Sequence, residues 1–448
     1  MISVSGVRGR VAGGLTPEII GKFAAGFGSW ASRDGNRTIV VGRDSRVSGP
    51  MFHRATLAAL QSVGCDVIDV GIAPTPTIQL AVEHHHAAGG LAITASHNPI
   101  EWNALKFIGA SGLFLDGAEG TAMRAIVESD YPRAPWDALG AVREDTGAIA
   151  HHIDRVLSLP FIDIDRIRAR RFRVALDCVR GAGGVIMPEL LERLGCDVAA
   201  IYLETTGVFP REPEPTADHL GELEQLVTRT GSAIGFATDP DVDRLALVSD
   251  AGVAIGEDWT LALAARLVLR HRHGAVVANL STSRILDDVA TEAGSLVIRA
   301  PVGEVNVATR MRAEQAPIGG EGNGGVILPE LHLGRDAPLA AVLLLQMLAE
   351  DDVPLSATLK KYPSYVIVKD KLPRPDAPLE QVYAALRARF ADAEVDTQDG
   401  LRLSWKDRWV HVRPSGTEPI VRVIAEAPSN DEARTLVKDC REPLDKLQ

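Results

Sequence analysis

Two segments of the chain place reactive residue types where a fold would present them. In Ile93-Thr94-Ala95-Ser96-His97-Asn98-Pro99 a serine closes the apolar run Leu91-Ala92-Ile93, with a histidine beside it and Lys106 ten positions on. Strand ends in α/β folds face ligand crevices, so Ser96 stands where a nucleophile would, and Lys106 or His97 could move the proton. The plain alternative is a serine that caps a helix. In Thr238-Asp239-Pro240-Asp241-Val242-Asp243-Arg244 three carboxylates alternate after the apolar run Ala233 to Ala237. In extended chain such positions share a face, where three like charges repel unless a divalent cation neutralises them. An all-oxygen donor set suits Mg²⁺, whereas a calcium EF-hand would need Gly at Arg244 and Glu at Asp250. Phe236 before the segment and Leu245-Ala246-Leu247-Val248 after it argue against a solvated acidic turn.

Two further loops look like readers of a sugar phosphate. Ile318-Gly319-Gly320-Glu321-Gly322-Asn323-Gly324-Gly325-Val326 sets five glycines around one carboxylate and one amide, so the backbone can pass close to a ligand while Glu321 and Asn323 meet hydroxyl groups. Arg413-Pro414-Ser415-Gly416-Thr417-Glu418-Pro419 combines a forked cation, two hydroxyls and a glycine turn, which are the parts of a phosphate cradle. A proline-glycine hairpin turn would explain the prolines and the glycine but not the arginine with two hydroxyl residues. Arg8, between Gly6 and Gly9, could reach a phosphoryl group as well.

These loops need elements to hold them. Thr38-Ile39-Val40-Val41 reads as a buried strand, a helical pattern follows, and Gly64-Cys65-Asp66-Val67-Ile68 reads as a second strand. The order recurs from Arg173-Val174-Ala175-Leu176 through a helix carrying Leu190, Leu191 and Leu194 to Gly195-Cys196-Asp197-Val198. It recurs again from Ala275-Val276-Val277-Ala278 to Gly294-Ser295-Leu296-Val297-Ile298. Strand, helix and strand in this order predict parallel βαβ units. Three copies along 448 residues predict three related mixed α/β domains rather than one doubly wound sheet.

The tail has another texture. Lys369-Asp370-Lys371-Leu372-Pro373-Arg374-Pro375 reads as a charged, proline-bearing linker. After it come a helix near Leu379 to Phe390 and strands at Leu401 to Trp405, Trp409 to Val412 and Ile420 to Ala425. A last helix opens with capping-box spacing at Ser429-Asn430-Asp431-Glu432. Tight turns between strands predict a small antiparallel α+β domain.

With 47 Lys and Arg against 59 Asp and Glu, the formal net charge is −12. That balance argues against nucleic acid and anionic membranes as partners and leaves any phosphate to a local basic pocket. The four cysteines form no CxxC pair, and the apolar runs fall far short of the ~20 residues of a membrane span. Met1 to Gly6 lacks a basic-then-apolar leader, so a reducing cytoplasm is the expected location. The runs His84-His85-His86 and His151-His152 are expected at solvated helix ends, since contiguous histidines cannot all face one ion.

Together, a candidate nucleophilic serine, a three-carboxylate loop, a sugar-like loop and a phosphate loop, in that chain order, closely resemble the α-D-phosphohexomutase superfamily over the whole chain. The resemblance implies an isomerase that moves a phosphoryl group between O6 and O1 of a hexose through a phosphoserine and a hexose 1,6-bisphosphate. Glucosamine 6-phosphate is the expected substrate, with glucose or mannose phosphates as the alternative. It implies four domains around a central cleft, here 1–150, 151–252, 253–366 and 367–448, in a monomer or homodimer. It makes Ser96 the phosphoserine, Asp239, Asp241 and Asp243 together with Ser96 the Mg²⁺ ligands, and Arg8, His97, Lys106 and Arg244 the groups around the transferring phosphoryl. Glu321 and Asn323 would read the sugar, while Arg413, Ser415, Gly416 and Thr417, with Arg422, would hold the non-reacting phosphate. Many members have Ser where Asn323 stands and Gly where Pro240 stands. A phosphatase could use the same serine and metal but would release phosphate; a sugar-phosphate sensor with relic loops would lack one of these groups, and none is missing.

Overall fold

The computed structural model describes residues 2–3, 6–415 and 420–446, and its strands form four sheets in chain order. Each expected βαβ unit is present. Thr38–Arg43 pairs in parallel with Asp66–Ile72 across the helix Gly49–Gln61. Arg173–Asp177 pairs likewise with Asp197–Ile201 across Met187–Arg193, and Val276–Asn279 with Val297–Ala300 across Ile285–Glu292. The first strand of each unit is largely buried, as expected where helices flank a parallel pair.

The repeat extends beyond these units. In each domain a third strand lies parallel to the first on its other side and then returns antiparallel. These strands are Gly89–Ile93 with Trp102–Gly109, Ile234–Thr238 with Leu245–Ser249, and Ile318–Glu321 with Gly325–Ile327. The serine loop, the three-carboxylate loop and the glycine-rich loop are therefore the same connection in three successive domains. All lie beyond the carboxyl end of a buried strand, which is where α/β sheets open to ligands.

The second and third domains share one core. Helix Ala337–Asp351, apolar on every side, packs against Asp258–His271 and the helices Ala148–Leu157 and Ile164–Arg170 within a single apolar cluster. Asp336 caps its start by accepting from the Leu339 N–H at 2.8 Å.

The fourth sheet is antiparallel throughout, with five strands, and carries helices Leu379–Arg389 and Asn430–Lys446. The segment read as a linker is an edge strand of it, Val366–Pro373, paired with Ile420–Ala427. An edge accounts for its composition. Leu372 is buried in the core while Lys369 and Lys371 are exposed, and Pro373 is its last residue, where a missing N–H costs little.

His84 and His86 are exposed at a helix end, but His152 is not solvated. It is fully buried between domains, with Nδ1 2.8 Å from Thr77 Oγ1 and Nε2 2.8 Å from Asp336 Oδ2. Its helix is covered on that side by the start of Ala337–Asp351, which the local sequence does not reveal.

Candidate active site

A cleft of about 1600 Å³ opens between the four sheets, and its walls include Arg8, Ser96, Arg244, Glu321, Arg413 and Arg422. His97, Lys106 and Asn323 line it too. Asp239, Asp241 and Asp243 are essentially inaccessible and lie behind this lining, in contact with Ser96, Lys106 and Arg335. Ser415 is described, its N–H donating to the Ile420 carbonyl at 2.9 Å, but it is not among the lining residues. Gly416 and Thr417 lie outside the described residues.

Ser96 has φ +50°, a left-handed conformation uncommon for a serine, and such strain persists only where the surroundings impose it. Arg46 imposes it. Fully buried, it donates to the carbonyls of Ser96 and Asn98 at 2.6 Å and to those of Pro99 and Trp102 at 2.8 and 3.0 Å, while Asp44 holds its Nε at 3.0 Å. The loop is thus wound around one guanidinium, and Asn98 Oδ1 accepts from Arg8 at 2.8 Å. Sequence reading missed Asp44 and Arg46. The available signal was their place just past strand Thr38–Arg43, beside the serine loop.

The Ser96 hydroxyl donates to Asp239 Oδ2 at 2.8 Å and has His97 Nδ1 at 3.3 Å. Lys106 Nζ and Thr75 Oγ1 both donate to Asp241 Oδ2, at 2.7 and 2.8 Å. Arg335 Nη2 donates to Asp243 Oδ2 at 2.6 Å. The three carboxylates converge through a tight turn and not through extended chain as expected, with Val242 at φ +62° and the Val242 N–H donating to Asp239 O. A turn between antiparallel strands is short enough to bring i, i+2 and i+4 to one point.

Their electrostatics fit a cation. One oxygen from each carboxylate lies within 4.8 Å of the others, and Asp241 Oδ1 and Asp243 Oδ1 are buried without a hydrogen-bond partner. Burial, then Asp243 and Asp241, force the Asp239 carboxyl well above its usual range. Burial also pushes Asp241 up, but the Lys106 ammonium together with hydrogen bonds from Asp239, Lys106 and Thr75 outweighs it and holds Asp241 ionised. Buried oxygens with lone pairs unused and charge in excess are what a hard divalent ion would satisfy.

Around the serine, burial and then the Arg244 and Arg8 guanidiniums keep the His97 imidazole well below its usual value, so it is neutral at pH 7. Arg244 is held 3.2 Å from Glu214, a residue sequence reading did not single out.

The glycine-rich loop is not a loose turn. Gly324 has φ +86°, and a Cβ there would lie 2.4 Å from the Leu245 carbonyl; one on Gly325 would lie 2.3 Å from the Arg335 side chain. The glycines let this hairpin press on the strand that follows the aspartates and on Arg335. Glu321 accepts from Asn279 Nδ2 at 2.8 Å, the Gly303 N–H at 3.0 Å and Arg335 Nη1 at 2.7 Å. Asn323 Oδ1 accepts from the Gly325 N–H at 3.2 Å. Arg335, which also donates to Glu304 at 3.1 Å, therefore ties the three aspartates to the glycine-rich loop. Its position just before the helix-capping Asp336 gave no sequence signal of this.

Three related α/β domains and a smaller antiparallel one around a single cleft, with a serine on its wall and three carboxylates buried behind it, define the class of the protein. Successive stretches match the family described as "Phosphoglucomutase/phosphomannomutase": alpha/beta/alpha domain I over residues 2–133, domain II over 150–252, domain III over 256–365 and the C-terminal domain over 365–442. The chain belongs to this family, within the α-D-phosphohexomutase superfamily, and is a phosphohexomutase, an isomerase. It is 37% identical over 436 residues to a Methanopyrus kandleri protein named "Probable phosphoglucosamine mutase", covering 96% of this chain and 95% of that one. It is 38% identical over 440 residues to a Thermococcus kodakarensis phosphoglucomutase/phosphomannomutase, covering 96% and 95%. The crystal structure of a phosphoglucomutase/phosphomannomutase family protein from Burkholderia thailandensis superposes with a TM-score of 0.86 at 27% identity, covering 100% of this chain and 98% of that one. No helix among the described residues is long and apolar enough to cross a membrane.

Proposed function

We propose that the protein interconverts the 6- and 1-phosphates of a hexose, with glucosamine 6-phosphate as substrate, through phosphorylated Ser96 and a bound hexose 1,6-bisphosphate. The observation that supports this best is the Ser96 hydroxyl 2.8 Å from Asp239, in a cleft whose fourth-domain wall carries Arg413 and Arg422. The name of the Methanopyrus kandleri relative supports the amino sugar; that of the Thermococcus kodakarensis relative favours glucose or mannose phosphates as the second reading.

A phosphate on Ser96 adds about −1.5 to −2 charges, which Arg8, Arg244 and Lys106 offset. Mg²⁺ held by Asp239, Asp241, Asp243 and the Ser96 oxygen would supply the further charge stabilisation that a loose phosphoryl-transfer transition state requires. Transfer breaks the bond from phosphorus to Ser96 Oγ and forms one to the free sugar hydroxyl, whose proton passes to the neutral His97 imidazole, while the Lys106 ammonium supplies one to the departing Ser96 Oγ. Glu321 and Asn323 orient the ring through its hydroxyls. The bisphosphate then turns end for end, so Arg413, with Ser415, Gly416, Thr417 and Arg422, holds whichever phosphate is not reacting. Closure of the fourth domain over the cleft keeps water from the phosphoserine.

The test assays glucosamine, glucose and mannose 6-phosphates side by side with a trace of bisphosphate, in wild type and Ser96→Ala. We expect the glucosamine phosphate to be preferred, phosphate to map to Ser96, and the folded Ala variant to lose activity by several orders of magnitude. Full activity in that variant, or net release of inorganic phosphate by wild type, overturns the proposal.

A further inference from the structure

Asp399 belongs to none of the four loops. It sits in the bend between strands Glu394–Asp396 and Leu401–Ser404 of the fourth domain, at the foot of the cleft wall that carries Arg413. Gly400 after it has φ +77°, and a Cβ there would lie 2.4 Å from the Val412 carbonyl and 2.9 Å from Arg413 Cα, so this glycine lets the bend lie directly on the Arg413 backbone. The Asp399 carboxylate then does two things. Its Oδ2 lies 2.9 Å from Arg413 Nε, with the N–H turned away from it, so that the contact is an ion pair and not a hydrogen bond. The same oxygen accepts from the Val302 N–H of the third domain at 3.1 Å.

Val302 is one residue from Gly303, whose N–H donates to Glu321 at 3.0 Å. Two adjacent N–H groups ahead of helix Glu304–Glu314 are thus held by carboxylates from opposite sides, Asp399 of the fourth domain and Glu321 of the third. A second strap supports the first. The Asp399 carbonyl can only accept, so His411 Nε2 carries the hydrogen it offers at 2.6 Å, and His411 Nδ1 accepts from the Ser281 hydroxyl of the third domain at 2.8 Å. The result is a continuous line of contacts: Arg413, Asp399, Val302 and Gly303, Glu321, Arg335, Asp243.

We propose that Asp399 is a positioning residue that sets the separation between the phosphate held by Arg413 and the hydroxyls read by Glu321, and so sets the length of sugar phosphate the cleft accepts. This rests on the mutase reading, in which both ends of one ligand are held at once. A phosphate and a ring gripped by two domains favour one ligand length only while the two grips keep a constant distance. A looser register admits shorter ligands and weakens the grip on all of them.

The experiment compares glucose 6-phosphate with ribose 5-phosphate, one carbon shorter, on wild type, Asp399→Asn and Val302→Pro. Asn removes the charge paired with Arg413; Pro removes the N–H from the other side without touching the fourth domain. Both variants should raise KM for glucose 6-phosphate by about tenfold, the scale of one charge-assisted contact, with a smaller change in kcat. Both should also lower the hexose-to-pentose ratio of kcat/KM by about tenfold, a readout that general loss of stability would not move, and Asp399→Glu should regain part of the KM. A ratio unchanged in whichever variants fold overturns the role of Asp399 while leaving the mutase reading intact. A wild type that converts no hexose phosphate at all overturns the mutase reading itself.

Discussion

Arg335 is the side chain that joins the three aspartates to the glycine-rich loop, and replacing it by Met tests how far both depend on it. Met keeps most of the apolar length and removes the guanidinium that donates to Asp243, Glu321 and Glu304 at 2.6, 2.7 and 3.1 Å. Removing one partner of a buried ion pair costs about 3–5 kcal/mol, because the remaining charge is left unpaired. Near the 2–4 °C per kcal/mol typical of a unit of 150–250 residues, this amounts to a fall of about 10 °C in the transition of the shared second and third domains. The loss depends on pH. Burial alone would push Glu321 up, and it stays below its ordinary 4.5 because Arg335, then Asn279, outweigh burial. Glu304 is already raised by burial, against the pull of Arg335. Without the guanidinium both carboxyls rise, the folded state binds more protons than the unfolded chain, and stability falls as pH climbs above about 4.5. The variant should therefore be closer to wild type at pH 6 than at pH 8. With Asp243 and Glu321 displaced together, kcat/KM should fall about a hundredfold or more, the cost of misplacing a site by about an ångström. Calorimetry at the two pH values and a coupled mutase assay measure both effects. A variant that matches wild type at pH 8 in transition temperature and in kcat/KM would refute the reasoning.

Three other perturbations separate the remaining roles. Asp239, Asp241 and Asp243 repel one another, so exhaustive chelation should abolish turnover, added Mg²⁺ restore it, and Asp241→Ala demand far more Mg²⁺; turnover that survives chelation would assign the carboxylates another purpose. Arg413→Ala should weaken glucosamine, glucose and mannose phosphates alike by about tenfold to a hundredfold, whereas Glu321→Gln and Asn323→Ser should reorder them; the opposite pattern reverses the assignments. The Asp258 carboxyl, at the start of helix Asp258–His271, is pushed up to about 8 by burial, with Glu426 adding to it. The folded state then holds a proton that the unfolded chain releases near 3.8, so wild-type stability on this account falls as pH rises from there to about 8. Asp258→Asn should therefore gain on wild type in urea midpoint between pH 5 and pH 8, and an unchanged difference would place that carboxyl in water.

The strand-helix-strand units, the order of the four loops and the residue types they carry were all legible in the chain, because apolar runs, glycine turns and charged clusters are local signals. Ser96, Asp239, Asp241, Asp243, Glu321 and Arg413 could each be named from their own neighbours. The groups that tie them together could not. Arg46 is 50 positions from Ser96, and Arg335 is 92 from Asp243, and nothing near either residue says that its guanidinium ends among another loop's carbonyls or carboxylates. The charged stretch at Lys369 misled for a related reason. A strand at a sheet edge needs apolar residues on one face only, so its composition looks like that of a linker until its partner strand is known.

The sequence by itself determined which residue types the four loops carry and in what order the domains that carry them follow. Only the tertiary structure decided the rest: that three hairpins in equivalent places of three domains point into one cleft, that a turn rather than an extended strand brings the aspartates together, and that Ser96 is held in a left-handed conformation. Each of these depends on contacts between segments far apart in the chain, and their free energy exists only once the sheets have packed.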